Sequence, residues 1–175
     1  MNPMPTPAYI SIVDANQKVL TAKAFTPESV GNIYQTGHED EAIVQAFKHT
    51  IDIPCDPQSG QPTGQRVHKP VCITKIFDRT SPLLLEALCS GATLSKVQIK
   101  WYRTSAQGKQ EHYYTTTLDD AVIVKIEDYM PNCQDPDSAH FTHLQDVYFS
   151  YRKITWEHVK ATTSGSDDWR EPAMA

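Results

Sequence analysis

The chain has 175 residues, 39% of them hydrophobic and 21% charged, which is enough to bury a core without disulfides or a metal and excludes a disordered tail. A formal charge of −5, with Lys and Arg scattered along the sequence, offers no basic stripe to neutralise phosphates, so no nucleic-acid partner is expected. Residues 1–7 contain Pro3, Pro5 and Pro7 and lack the basic-then-apolar pattern of a secretory signal; no later stretch is long and apolar enough to span a bilayer. A cytoplasmic start without membrane insertion is expected.

Alternation of apolar and polar side chains, the mark of half-buried strands, recurs along the chain. It predicts a strand over residues 8–13 and another over 42–53, where Ile43, Phe47, Ile51 and Ile53 form the apolar set and Lys48 stands on the opposite, polar side. Over 54–70, Pro54, Pro57, Pro62 and Pro70, together with Gly60 and Gly64, oppose helix and central strand alike. A long loop is expected there, either mobile or an extended arm that reaches a neighbour. Residues 71–77 give the next strand. Ser81 as cap, Pro82 in the first turn, Leu84, Ala87 and Leu88 at helical spacing and Gly91 as terminator predict one short amphipathic helix near 82–90, packed across an open end or face of the sheet.

Residues 96–104 place Val97, Ile99 and Trp101 on one face. The polar turn 105–109, with Gly108 free to take a positive φ, leads into 112–118 and predicts a hairpin. In 121–126 both faces are apolar, Val122, Val124 and Ile126 on one and Ala121 and Ile123 on the other. Such a strand needs the core on one side and the helix or another subunit on the other. Residues 146–156 supply the last strand. Together these elements predict a mainly β fold, a small β-barrel or two-sheet arrangement with one flanking helix, as a single domain over 1–160 followed by a C-terminal tail over 161–175.

Motifs for chemistry are missing. Cys55, Cys72, Cys89 and Cys133 lack metal-type spacing and are expected as reduced, structural thiols, the first and last exposed, the middle two buried. The run GHEDE (37–41) comes nearest to a metal or acid–base cluster, but neighbours on a strand point to alternate sides, so a solvated or interface acidic patch is expected. His140 and His143 fall on opposite faces of a strand; Asp119 with Asp120 share that difficulty, and Asp167 with Asp168 lie in a Ser/Gly-rich terminus. With no glycine-rich phosphate cradle and no nucleophile elbow, no catalytic residue, cofactor or metal is expected. A monomeric β-barrel module for a sugar or peptide, and a secreted hydrolase, stand as alternatives to an assembling protein.

The strings AYISI (8–12), AFTPESVGNIYQTGHEDE (24–41), PQSGQPTGQRVHKP (57–70), SPLLLEAL (81–88), IKWYRTSAQGKQEHYYT (99–115), DYMPNCQDP (128–136) and HFTHLQDVYFSYRKITW (140–156) resemble the haemolysin-coregulated proteins of bacterial type VI secretion. TSGSDDWREP (163–172) resembles their enteric-type branch. The stretch 13–23 departs from the family, having Asp14, Ala15 and Asn16 where a glycine-containing turn is expected; Asn16 can supply a left-handed residue. The resemblance implies a hexameric ring whose copies stack into a tube inside a contractile sheath with its baseplate. It also implies a trimeric spike protein at the tube end and effector proteins carried in the lumen until contraction drives the tube out of the cell. Some relatives carry a fused toxin domain, for which this chain ends too soon. The resemblance further places the 54–70 arm at contacts between stacked rings, with Gln58, Gln61, Gln65 and Arg66 as polar contacts, and turns Lys48 toward the lumen as a cargo contact.

Overall fold

The structure, a computed structural model, describes residues 6–170; most of the proline-rich start and the last residues of the expected tail lie outside the described residues. Among the described residues, ten strands and two α-helices follow in order: β1 (Ala8–Asp14), α1 (Pro27–Val30), β2 (Ala42–Lys48), β3 (Ile51–Asp52), β4 (Val67–His68), β5 (Val71–Ile76), α2 (Ser81–Ser90), β6 (Thr93–Thr104), β7 (Gln110–Tyr129), β8 (Leu144–Ser150), β9 (Lys153–His158) and β10 (Thr163–Asp168). The sheet runs β10-β9-β7-β6-β1-β2-β5-β8, and β8 pairs back onto β7, which closes β7, β6, β1, β2, β5 and β8 into a barrel. Closure leaves no free edge among those strands. Outside the barrel, β9 and β10 extend the sheet from the first half of β7.

Inside, Ile10, Ile12, Ile73, Leu94, Val97, Ile99, Leu118, Val147 and Phe149 are all fully buried and form one cluster. Apart from Leu94, which a register shift sets three residues before Val97, these are the alternating positions of their strands, which is why the hairpin expected over 96–118 forms as β6 and β7. Its turn is closed by the Gly108 amide on the Ser105 carbonyl (2.9 Å) with Gly108 at φ 79°. From α2, Leu84 and Ala87 join the same cluster while Leu88 is half-buried at its margin. Gly91 ends the helix at φ 66°, ψ 27°, its amide bonded to the last turn, as its lack of a Cβ allows. Ser81 does not cap the helix; it is the first helical residue, and its hydroxyl accepts from the Asp78 amide.

Several expectations need correction. The strand over 42–53 ends at Lys48: a register shift between Val44 and Ala46 lets Ala42 and Val44 face the core, and Ile51 and Ile53 leave the barrel and are 38% and 50% exposed. The stretch 146–156 is two strands, β8 and β9, nearly collinear and interrupted at Tyr151 and Arg152. That break lies opposite Asp120, which kinks β7 at φ 50° and accepts from Arg152 Nε at 2.8 Å. The apolar second face of 121–126 is only partly covered. Ala121 and Ile123 enter the core that α2 also packs against, while a register shift bulges Val124 outward, 48% exposed. The expected tail carries β10, paired along its length with β9. A helix of one turn, α1, adds to the single helix expected. In the departing stretch 13–23, the left-handed residues are Gln17 (φ 65°) and Lys23 (φ 56°), not Asn16, and the Asp14 carboxylate accepts the Asn16 and Lys18 amides to hold the turn.

Candidate functional site

The arm over 49–70 is folded on itself. β3 and β4 pair only with each other, Ile51 opposite His68 and Asp52 opposite Val67, and form a two-stranded sheet separate from the barrel. Farther out, Cys55 bridges to Pro62, and the Thr63 amide donates to the Pro54 carbonyl at 2.8 Å. The tip is a turn organised by Asp56, whose carboxylate accepts the Gln58 amide and the Ser59 hydroxyl at 2.9 and 3.0 Å, with Gly60 at φ 71°. Bonds from the Gln58 amide and the Ser59 hydroxyl hold the Asp56 carboxyl below its ordinary range. Proline at 54, 57 and 62 removes amide donors, which explains a ribbon with sparse cross-bonds instead of a regular hairpin. Every residue from 57 to 65 is exposed, Gln58, Gln61 and Gln65 among them.

Arg66 sits elsewhere. It lies at the root of the arm, where its Nε donates to Asp167 and its Nη2 to the Asp168 carbonyl at 3.0 Å, so β10 and the arm are joined within the chain. His68 lies beside it, its Nε2 on the same Asp167 carboxylate and its Nδ1 on the Tyr151 hydroxyl, which also meets His49 Nε2. Burial pushes the Tyr151 hydroxyl well above the ordinary phenol range, with the Asp167 charge adding to it. The Arg66 bond holds the Asp167 carboxyl below its ordinary value, and the His68 bond acts the same way. Sequence reading missed His49, His68 and Tyr151 altogether. The faint signal was the alternation of Arg66 with His68 on the return leg of the arm.

Lys48 is exposed at the end of β2, on a row that crosses four strands: Lys48 opposite Cys72, Cys72 opposite Tyr148, Tyr148 opposite Lys125. Lys125 lies 5.2 Å above the Tyr148 ring and pairs with Glu127 at 2.8 Å. Between this row and the root of the arm is a shallow dent of about 300 Å³ lined by Lys48, His49, Lys69, Cys72 and Tyr148. Cys72 is half-buried on this outward row, and burial raises its thiol above the ordinary value. Cys89, expected inside, is exposed, because it falls two residues after Ala87 and so on the far side of α2. Cys55 and Cys133 are exposed as expected.

The GHEDE run keeps Glu39 and Asp40 exposed, as a solvated acidic patch requires, while His38 and Glu41 are half-buried. The run is a turn, and the His38 ring stacks flat on Tyr9 with centroids 3.8 Å apart, while Glu41 lies 3.6 Å from Lys100 Nζ. The Glu39 carboxylate accepts from the Gly37 amide at 3.0 Å and the Tyr34 hydroxyl at 3.2 Å. The acids are thus spent on holding the turn against the aromatic cluster of Tyr9, Phe25 and Tyr102. His140 and His143 sit in the loop before β8, where His143 meets Phe77. Among the described residues, no three His, Cys, Asp or Glu side chains are grouped so as to hold a metal ion.

A small closed β-barrel with one end packed by a helix, a self-paired polar arm and an outward basic–aromatic row define the class to which this protein belongs. The family model described as the type VI secretion system effector Hcp matches residues 9–158, and the chain is a member of the haemolysin-coregulated protein family. It is 69% identical over 169 residues to the major exported protein of Pseudomonas aeruginosa, covering 97% of this chain and 98% of that one. Among solved structures, the crystal structure of an Hcp protein superposes with a TM-score of 0.91 at 47% identity, over 96% of this chain and all of that one. The secreted protein Hcp3 of P. aeruginosa gives 0.81 at 59% identity, over 95% of this chain and all of that one.

Proposed function

We propose that this chain is the ring-forming subunit of the type VI secretion inner tube: six copies close a ring, rings stack, and the tube is expelled with effector proteins in its lumen. The arm carries this reading. Its strands pair with nothing in the barrel, its tip is wholly exposed, and its prolines and Asp56 turn keep it extended without a partner. An exposed polar ribbon of this kind suits a reversible contact between rings, with Gln58, Gln61 and Gln65 offering amide donors and acceptors at the tip. Arg66 serves the contact indirectly, by setting the pose of the arm. Export agrees with the name of the P. aeruginosa relative. A trimeric spike, the contractile sheath and its baseplate are the further partners this role requires. In the ring, the Lys48 row faces the lumen and meets cargo. The family match disfavours the monomeric binding module and the secreted hydrolase.

The test is sedimentation of the full chain together with negative-stain micrographs. Rings near six times the subunit mass, and tubes that vanish when residues 58–65 are deleted while rings persist, support the reading. A chain that stays monomeric at all concentrations overturns it.

A further inference from the structure

Side chains from separate parts of the chain meet at the root of the arm. The Tyr151 hydroxyl lies 2.9 Å from His49 Nε2 and 2.6 Å from His68 Nδ1, and His68 Nε2 lies 2.6 Å from Asp167 Oδ2, the oxygen that also receives Arg66 Nε. His49 follows β2, His68 belongs to β4, Tyr151 sits in the break between β8 and β9, and Asp167 belongs to β10. The His68 side chain and Tyr151 are each only 3% exposed, so water does not relieve a mismatch at that point.

A hydroxyl carries one proton. It donates to one imidazole nitrogen and accepts from the other, so the chain is satisfied when one of the two facing ring nitrogens bears hydrogen and the other does not. With both rings protonated, both nitrogens donate, the Tyr151 proton loses its acceptor, and two cations face each other beside Arg66. The neighbouring acids give little relief. Asp168 is engaged by Arg152, which also holds Asp120, and Asp52 pairs with Lys69, while one Asp167 carboxylate answers both Arg66 and His68.

We propose that this cluster is a protonation-sensitive clasp: a second proton on the His49–Tyr151–His68 chain unfastens the arm from β10 while the barrel stays folded. The clasp is a property of the single subunit; only its consequence, that acid loosens stacking, rests on reading the arm as the contact between rings. The sign follows from the site. Burial and the charge of His68 push the His49 ring below its ordinary 6.5, with its bond to the Lys69 main chain opposing, so the fastened arm favours neutral His49. Fastening therefore weakens as pH falls from about 6.5 toward the lowered value. Asp167, lowered below its ordinary 3.8, keeps its charge through that window and is lost only at more acid pH.

Hydrogen exchange of the full chain at pH 7.5, 6.5 and 5.5, corrected for the intrinsic pH dependence of amide exchange, tests the clasp. Protection over 66–69 and 163–168 is expected to fall about tenfold for each pH unit below the onset, the dependence of one titrating group, while β1 and β6 stay protected. His49→Gln is expected to flatten that profile, and Asp167→Asn to lower protection of both segments at every pH, with barrel protection showing that each variant folds. A flat profile in the parent, or an equally steep one in His49→Gln, overturns the clasp. Sedimentation at the same pH values reports stacking separately: an arm that loosens while stacking is unchanged retains the clasp and overturns the stacking role of the arm.

Discussion

Lys75 Nζ lies 3.0 Å from Asp78 Oδ1, and neither side chain reaches solvent, at 0% and 1% exposure. The ammonium also donates to Ser81 Oγ at 2.9 Å and to the Ile76 carbonyl, so one cation ties the end of β5 to the start of α2. Burial lowers the Lys75 ammonium below its ordinary value and the Asp78 charge pulls the other way, the two opposing forces of a buried pair. Lys75→Met leaves Asp78 a buried charge without its cation and is expected to cost about 3–5 kcal/mol, with Asp78→Asn in the same chain recovering part of the loss. Urea unfolding of the two variants, compared at unchanged slope, measures both steps.

Leu84 is fully buried and Leu88 only half-buried, although the helical spacing of the sequence marks both as core. Leu84→Ala is expected to lose about 2–5 kcal/mol, the range for a fully enclosed leucine. Leu88→Ala should fall below that range, because its side is open to relaxation and to water. Paired melts of the two variants give the order directly, and a larger loss at position 88 would contradict the packing.

The contrast between those leucines shows how far the sequence carries. Strands with clear alternation, such as 8–13, 71–77 and the 96–118 hairpin, were legible because side-chain period and burial coincide in a closed barrel. The pairing of β3 with β4 inside the arm and the C-terminal strand were not. β10 reads TSGSDD, without an apolar side to announce a strand. It pairs because β9 offers its edge and because Arg66 and Arg152 hold Asp167 and Asp168. The clasp was hidden for the same reason, since His49, His68, Tyr151 and Asp167 are brought together only by the closure of the sheet. Alternation also misread 42–53, where one register shift and the exit of the chain at His49 turned Ile51 and Ile53 outward.

Gly91 holds a left-handed conformation that a side chain adopts only with strain, and nothing crowds the place where its Cβ would stand. Gly91→Ala therefore isolates backbone strain from packing. It is expected to cost about 1–2 kcal/mol, the penalty of the left-handed region for an L-residue, measured as a lower denaturation midpoint. The converse change at Gln17, left-handed with a side chain in place, is expected to be neutral or stabilising as Gln17→Gly.

At the arm, tip and root are expected to respond in opposite ways. Gln58 and Gln61 are exposed and their side chains support no described core contact, so Gln58→Ala and Gln61→Ala should leave the melting of the subunit within about 0.5 kcal/mol of the parent. Their effect belongs to the contact between rings, and together they should shorten or abolish tubes in micrographs while ring mass in sedimentation is unchanged. Arg66→Ala removes the donor to Asp167 and to the Asp168 carbonyl and is expected to loosen both the arm and β10 in the isolated subunit, visible as faster amide exchange over 163–168. Unchanged exchange in β10 would show that the arm is held by His68 without Arg66, and normal tubes from the double glutamine variant would remove the tip from the stacking surface.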